Sequence, residues 1–175
     1  MKSAVEQLST YKSVHLNPKN INTHFIGVPM IIWSAFLMLG TLRFVWLDYQ
    51  VSAAMILTVV VLGYYMALHL RLALGLVLFI LPVLYTSELV VHISHPFYIA
   101  ISIFIIGWVI QFVGHQYEKA KPAFMDDLNQ LLIGPFFLMA ELYFIFGWEK
   151  ELAAEITPIA REKRRALENK RRSAE

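Results

Sequence analysis

A polar arm, residues 1–22, opens the chain, and five long apolar segments follow it closely. They cover roughly residues 25–47, 51–70, 72–91, 97–117 and 128–148. Each is near the ~20 residues an α-helix needs to cross ~30 Å of hydrocarbon. Each is apolar on all sides rather than along one stripe, which suits a helix facing lipid. Strands usually run about 3–10 residues, so the lengths argue against a sheet. The breaks are short: Asp48-Tyr49-Gln50, His69-Leu70-Arg71 and Ser94-His95-Pro96. Pro96 suits the first turn of a helix, where its missing N–H costs little. Lys121-Pro122 interrupts the chain after the fourth segment, and Asp126 or Asp127 is placed to cap the fifth. Residues 149–175 are charged and read as a helix of their own.

Composition sharpens this picture. Hydrophobic residues make up 58% of the 175 residues and charged residues 16%, against about 45–50% and about 25% in ordinary globular chains. Between Phe25 and Tyr117 the charges are Arg43, Asp48, Arg71 and Glu88. That is too little polar surface for a water-soluble domain. The arm has no apolar h-region, so it is not a signal peptide. The chain has no cysteine, which excludes a disulfide framework, a thiolate metal site and a cysteine nucleophile.

Charge selects a topology. If the first four segments span and the fifth does not, Lys2, Lys12, Lys19, Arg71, Lys119, Lys121 and the tail lie on one side. The tail carries eight of the fifteen Lys/Arg, so Arg43 alone lies opposite. Spanning by the fifth segment would move the tail across the membrane. The positive-inside rule therefore favours four spans with both termini cytoplasmic. Gly134-Pro135 and Glu141 suit a re-entrant or interfacial fifth segment. The expected fold is an all-α membrane bundle, with residues 1–148 embedded and residues 149–175 a charged helical tail. In that tail basic residues alternate with Glu149, Glu151, Glu155, Glu162 and Glu168, as a solvated helix with i,i+4 ion pairs requires. Such mixed charge gives no argument for nucleic-acid binding.

The topology sorts the six histidines. His15, His24, His69 and His115 fall at the cytoplasmic face, and His92 and His95 at the other. Imidazoles gathered on one membrane face resemble a site for Fe, Zn, Cu or Ni. Each also has an ordinary reading. His15 and His24 sit where a polar arm meets headgroups, and His69 ends a helix, where a cation suits the dipole. His115 stands out within a polar cluster that follows an apolar segment directly. No zincin motif, phosphate-binding loop, G-x-S-x-G or G-x-G-x-x-G is present.

Two stretches resemble a known family. Tyr11 to Pro29 reads Y-x-x-x-H-x-N-P-x-N-x-x-x-H-x-x-G-V-P, and Gly107 to Ala123 reads G-W-x-x-Q-F-x-G-H-x-x-E-K-x-x-P-A. The likeness continues through Asp127, Gln130, Gly134-Pro135 and Glu141. It is to the 2-hydroxy fatty acid dioxygenases of phytosphingosine degradation, long catalogued as a domain of unknown function. The resemblance implies an Fe(II)-dependent membrane enzyme, in eukaryotes of the endoplasmic reticulum. Its reaction would cleave a 2-hydroxy fatty acid with O2 to CO2 and an acid one carbon shorter. His15, His24 and His115 carry over as ligands; His69 lies outside both motifs but on the same side by topology. Glu118 would orient a ligand, and Lys119 or Lys121 would neutralise the substrate carboxylate. Family members often have an arginine between the Glu and the Pro, where this chain has Ala120 or Lys121. Lysine is a weaker carboxylate clamp than arginine.

Two other classes stay open on residues alone. A small non-enzymatic transporter or assembly factor would use the same spans, and a zinc-dependent lipid hydrolase similar histidines. A bacterial inner membrane and the endoplasmic reticulum fit equally well.

Overall fold

A computed structural model describes residues 2–125 and 127–173. Asp126, one of the two expected caps, lies outside them. The described residues are all-α apart from one hairpin. Its elements are α1 (Ala4–Lys12), α2 (Pro18–Gly40), β1 (Arg43–Trp46), β2 (Tyr49–Ser52), α3 (Ala53–Leu68), α4 (Leu70–Val90), α5 (Pro96–Glu118), α6 (Gln130–Ile145) and α7 (Lys150–Arg172). A 3-10 turn, Ala123–Met125, precedes α6. The chain divides into two compact units: residues 1–22 with 114–175, and residues 23–113.

In the first unit, α1 packs on α6 and α7. Ser3 caps α1 by accepting the Glu6 N–H. The core holds Leu8, Tyr11, Ile133, Phe136 and Phe137, with Leu152, Ile156 and Ala160 of α7. Those three recur every four residues, so the tail helix buries one stripe and solvates the rest. Arg164 and Glu168 form the expected i,i+4 ion pair. Lys163 donates to Ser9 and Thr10 of α1, and partial burial lowers its pKa. Glu141, the charge inside the fifth apolar segment, is explained by an ion pair with Lys12 of α1. Gly134 makes room for Tyr11, because a Cβ there would lie 3.1 Å from its Oη.

The second unit contains most of the apolar surface. α3 packs on α4, and α2 meets α5 at two glycines. A Cβ on Gly27 would lie 2.9 Å from the Gly107 carbonyl, and a Cβ on Gly107 2.8 Å from Ile31. Small residues that let helix backbones approach are a recurrent device of membrane bundles. Many large apolar side chains, including Val59, Leu78 and Ile105, point outward.

Three described helices are long and apolar enough to cross a bilayer: α2, α4 and α5. They point to membrane association. The second expected span appears as α3, whose 16 residues reach only about 24 Å at 1.5 Å per residue. The fifth segment is α6, also 16 residues long.

The first expected span needs correction. Its helix begins earlier, at Pro18, and stops at Gly40; residues 43–52 form an antiparallel hairpin. Leu47 and Asp48 make its turn, both with positive φ, 48° and 66°. This two-residue turn favours Asn-Gly, and Leu-Asp hides the signal. At the root of the hairpin, Arg43 pairs with Glu88 at 2.6 Å. Ser52 caps α3 and donates to the same carboxylate.

Two breaks also differ in detail. His69 alone separates α3 from α4, in an extended conformation, so Leu70 and Arg71 are already helical. Asn129, not Asp127, is the N-cap residue of α6. Asp127 acts two residues earlier, accepting the Asn129 N–H at 3.0 Å. Pro96 opens α5 as its position predicts.

Candidate metal centre

The first unit builds a buried polar cluster around the turn between α1 and α2. His15 lies three residues beyond α1 and is 1% exposed. Its backbone N–H bonds the Lys12 carbonyl, which closes the turn. Its ring stacks flat on Tyr11, with centroids 4.1 Å apart, and Phe137 packs beside it. Nδ1 sits 2.7 Å from the Tyr11 carbonyl. A carbonyl only accepts, so Nδ1 carries the proton and the lone pair is left on Nε2. Such a bond fixes the tautomer of a ligating imidazole. Burial holds the Tyr11 phenol neutral, with its pKa well above the usual value.

His115 lies in the last turn of α5, edge-on to His15, with centroids 4.9 Å apart. Three residues on, Glu118 is 6% exposed yet well supplied with donors. It accepts the backbone N–H groups of Leu16 at 3.1 Å and Asn17 at 2.8 Å. Asn20 and Arg164 also donate to it. Glu118 therefore holds the residues that follow His15 against the end of α5. Asn17 accepts the Lys19 N–H and donates to the Tyr117 carbonyl. Pro18 takes the first helical position of α2, as its fixed φ favours.

Asn20 places His24 one turn further along α2, on the same helix face. His24 is 2% exposed. One ring nitrogen from each of His15, His24 and His115 lies within 4.8 Å of the others. Imidazole nitrogens bind such ions at about 2 Å, so small side-chain rotations bring rings this close onto one ion. Three imidazoles without thiolates fit a borderline divalent ion such as iron or zinc. The Glu118 carboxylate is committed to backbone N–H groups and to Arg164. A three-histidine set leaves further coordination positions for other ligands.

The group contains His15, His24 and His115 but not His69, which sits half-buried at the α3–α4 break. Lys119 and Lys121 have exposed side chains. Lys119 takes the left-handed conformation that ends α5, φ 53°, and its carbonyl accepts from Arg171. His92 and His95 are exposed beside the start of α5.

Sequence reasoning missed Arg164. Its side chain is 15% exposed and donates to the Glu118 carboxylate at 3.3 Å and carbonyl at 2.8 Å. The guanidinium at Glu118 thus comes from the charged tail. Its pairing with Glu118 spans 46 residues and leaves no local trace.

An all-α chain with bilayer-length helices and a buried trio of imidazoles has the makings of a membrane-associated metalloprotein. The chain belongs to the family described as 2-hydroxy-palmitic acid dioxygenase Mpo1-like, whose model matches residues 1–146. It is similar to the 2-hydroxy-palmitic acid dioxygenase MPO1 of Saccharomyces cerevisiae, 37% identical over 154 residues, covering 86% of this chain and 85% of the relative. No solved structure matches the chain. Arg164 lies beyond the residues the family model matches.

Proposed function

We propose that this chain is an Fe(II)-dependent dioxygenase that cleaves 2-hydroxy fatty acids. The observation that carries this reading is the buried group His15, His24 and His115, in a chain 37% identical to a 2-hydroxy-palmitic acid dioxygenase. A 2-hydroxy acid and one O2 give an acid one carbon shorter, CO2 and one water. Atoms and electrons balance with no outside reductant.

Iron, when bound, supplies the redox chemistry with O2. The chain's residues hold and orient. His15 offers Nε2, because the Tyr11 carbonyl fixes its other nitrogen. Glu118 positions the turn that carries His15. The rings of Tyr11 and Phe137 exclude water from one side of His15. Lys119 and Lys121 place positive charge at the end of α5 for an acidic head group, and His69 stays a candidate fourth ligand. An apolar groove lined by Pro29, Met30, Trp33, Val83 and Ile103 lies further along α2 than His24. It gives an acyl chain a seat.

The same reading makes residues 1–148 a catalytic region embedded in a bilayer and residues 149–175 a helical tail. The chain is multi-pass, in a bacterial inner membrane or the endoplasmic reticulum, with both termini cytoplasmic. The decisive experiment is anaerobic purification with metal analysis, then incubation with 2-hydroxypalmitate with and without O2. Stoichiometric iron and O2-dependent release of a C15 acid are expected. Zinc with O2-independent hydrolysis of a lipid ester, or no bound metal, rejects the proposal.

A further inference from the structure

Gln111 is a buried amide with no partner among the described residues. It is 4% exposed, and both its Oε1 and its Nε2 are shielded and make no hydrogen bond. Buried polar groups are nearly always paired, and exceptions call for an explanation. Here the surrounding backbone is shaped to keep the amide in place. A Cβ on Gly27 would lie 3.0 Å from the Gln111 Nε2, so only glycine at 27 leaves this space. Gly107, one turn earlier on α5, makes the matching clearance for α2.

The position of the amide bears on its use. On α5 it stands four residues before His115, one helical turn of about 6 Å. On α2 it lies against Gly27, three residues after His24. An amide offers two donors and an acceptor side by side. A 2-hydroxy acid carries a hydroxyl and a carboxylate on adjacent carbons. The hydroxyl can donate to Oε1 while the carboxylate accepts from Nε2. An unsubstituted fatty acid leaves Oε1 buried and unpaired.

We propose that Gln111 is a specificity-determining residue that reads the 2-hydroxyl of the substrate. The assignment rests on the dioxygenase reading for the identity of the substrate. Sites built to hydrogen-bond a substrate hydroxyl reject the analogue that lacks it far more strongly than apolar pockets reject a methylene. The amide would therefore select 2-hydroxy acids, and its unpaired state in the free protein would be the cost of that selection.

The test is equilibrium binding of 2-hydroxypalmitate and palmitate to the full-length protein in detergent, without O2, alongside iron content. Wild type is expected to prefer the 2-hydroxy acid by at least about 10-fold. Gln111→Met, close in shape but unable to bond, should bring the ratio to within about 3-fold while keeping its iron. Gln111→Glu should weaken both acids through carboxylate repulsion and serves if the methionine variant fails to fold. A methionine variant with the wild-type ratio overturns the proposal. So does loss of iron together with the ratio, which would place Gln111 in support of the metal instead. If wild type consumes 2-hydroxypalmitate with O2 but Gln111→Met keeps the ratio, the Gln111 assignment alone falls. If wild type neither prefers nor consumes the hydroxy acid, the dioxygenase reading falls with it.

Discussion

The unit of residues 1–22 and 114–175 buries charge, whereas the unit of residues 23–113 exposes apolar surface. In the first, Glu118 and Arg164, and Lys12 and Glu141, are ion pairs with little exposure on either side. In the second, Val59, Leu78 and Ile105 stand outward, and Arg43 pairs with Glu88 at the root of the hairpin. The difference lies in what covers each surface. Apolar side chains that face outward on bilayer-length helices need lipid, while buried charges need protein partners with good geometry. Hydropathy therefore identifies the second unit from a distance. The polar network that holds His15 and His115 belongs to the first, whose ion pairs link residues far apart in sequence.

The largest way to break this contrast is at the imidazoles. His115→Ala should lower iron affinity by more than about 100-fold, beyond the 10–100-fold typical of residues that only support a ligand. O2-dependent loss of 2-hydroxypalmitate should fall with it. His92→Ala and His95→Ala, both at exposed positions, should retain wild-type iron. Iron measured in each purified variant decides this, and equal loss from His92→Ala would overturn the ligand assignment.

Glu118→Ala should come next. It removes the acceptor for Leu16 and Asn17 and strands Arg164. Breaking a buried ion pair typically costs about 3–5 kcal/mol, read as a lower unfolding midpoint in detergent. Iron affinity should drop about 10–100-fold, because the turn carrying His15 loses its anchor. A variant that unfolds earlier but keeps full iron affinity would make Glu118 a purely structural residue.

A matched pair then sharpens the comparison. Arg164→Ala and Arg43→Ala each remove a guanidinium from a carboxylate, one in each unit. Hydrogen bonds to charged groups contribute about 1.5–3 kcal/mol, so both should lower the unfolding midpoint similarly. Only Arg164→Ala should also weaken iron binding, through Glu118. Equal effects on iron would show that the tail does not serve the site.

What could be read beforehand follows the same division. The spacing of apolar segments located α3 to α6 because long apolar helices advertise themselves residue by residue. The motifs around His15, His24 and His115 named the rings that the fold gathers. The hairpin escaped because Phe44, Val45 and Trp46 continue the apolar run, while Leu47-Asp48 lacks the glycine that usually marks such a turn. Glu141 suits an interfacial fifth segment, and its ion-pair partner Lys12, 129 residues away, cannot be read from the sequence. Pairings of that kind have no period along the chain, and only the folded backbone brings them together.

The smallest effect expected is at Asp127, and it has a defined pH dependence. The Asn129 backbone N–H, and then the Lys2 ammonium, hold this carboxyl below the usual carboxylate range. The proton is therefore bound more weakly in the folded chain than in the unfolded one. Stability from this group is present above the ordinary carboxylate pKa and is lost as pH falls through the lowered folded value. Asp127→Asn should thus unfold slightly earlier than wild type at pH 7, and the two should converge in acid. The side chain is partly solvent-exposed and its Lys2 pair is screened, so added salt should shrink the difference without abolishing it. The residue left at high salt measures the N–H contact at the entry to α6. Unfolding curves of both proteins at pH 7 and pH 3, each with and without salt, provide the check. A difference that persists unchanged into acid would show that shape at position 127, and not its charge, supports the turn.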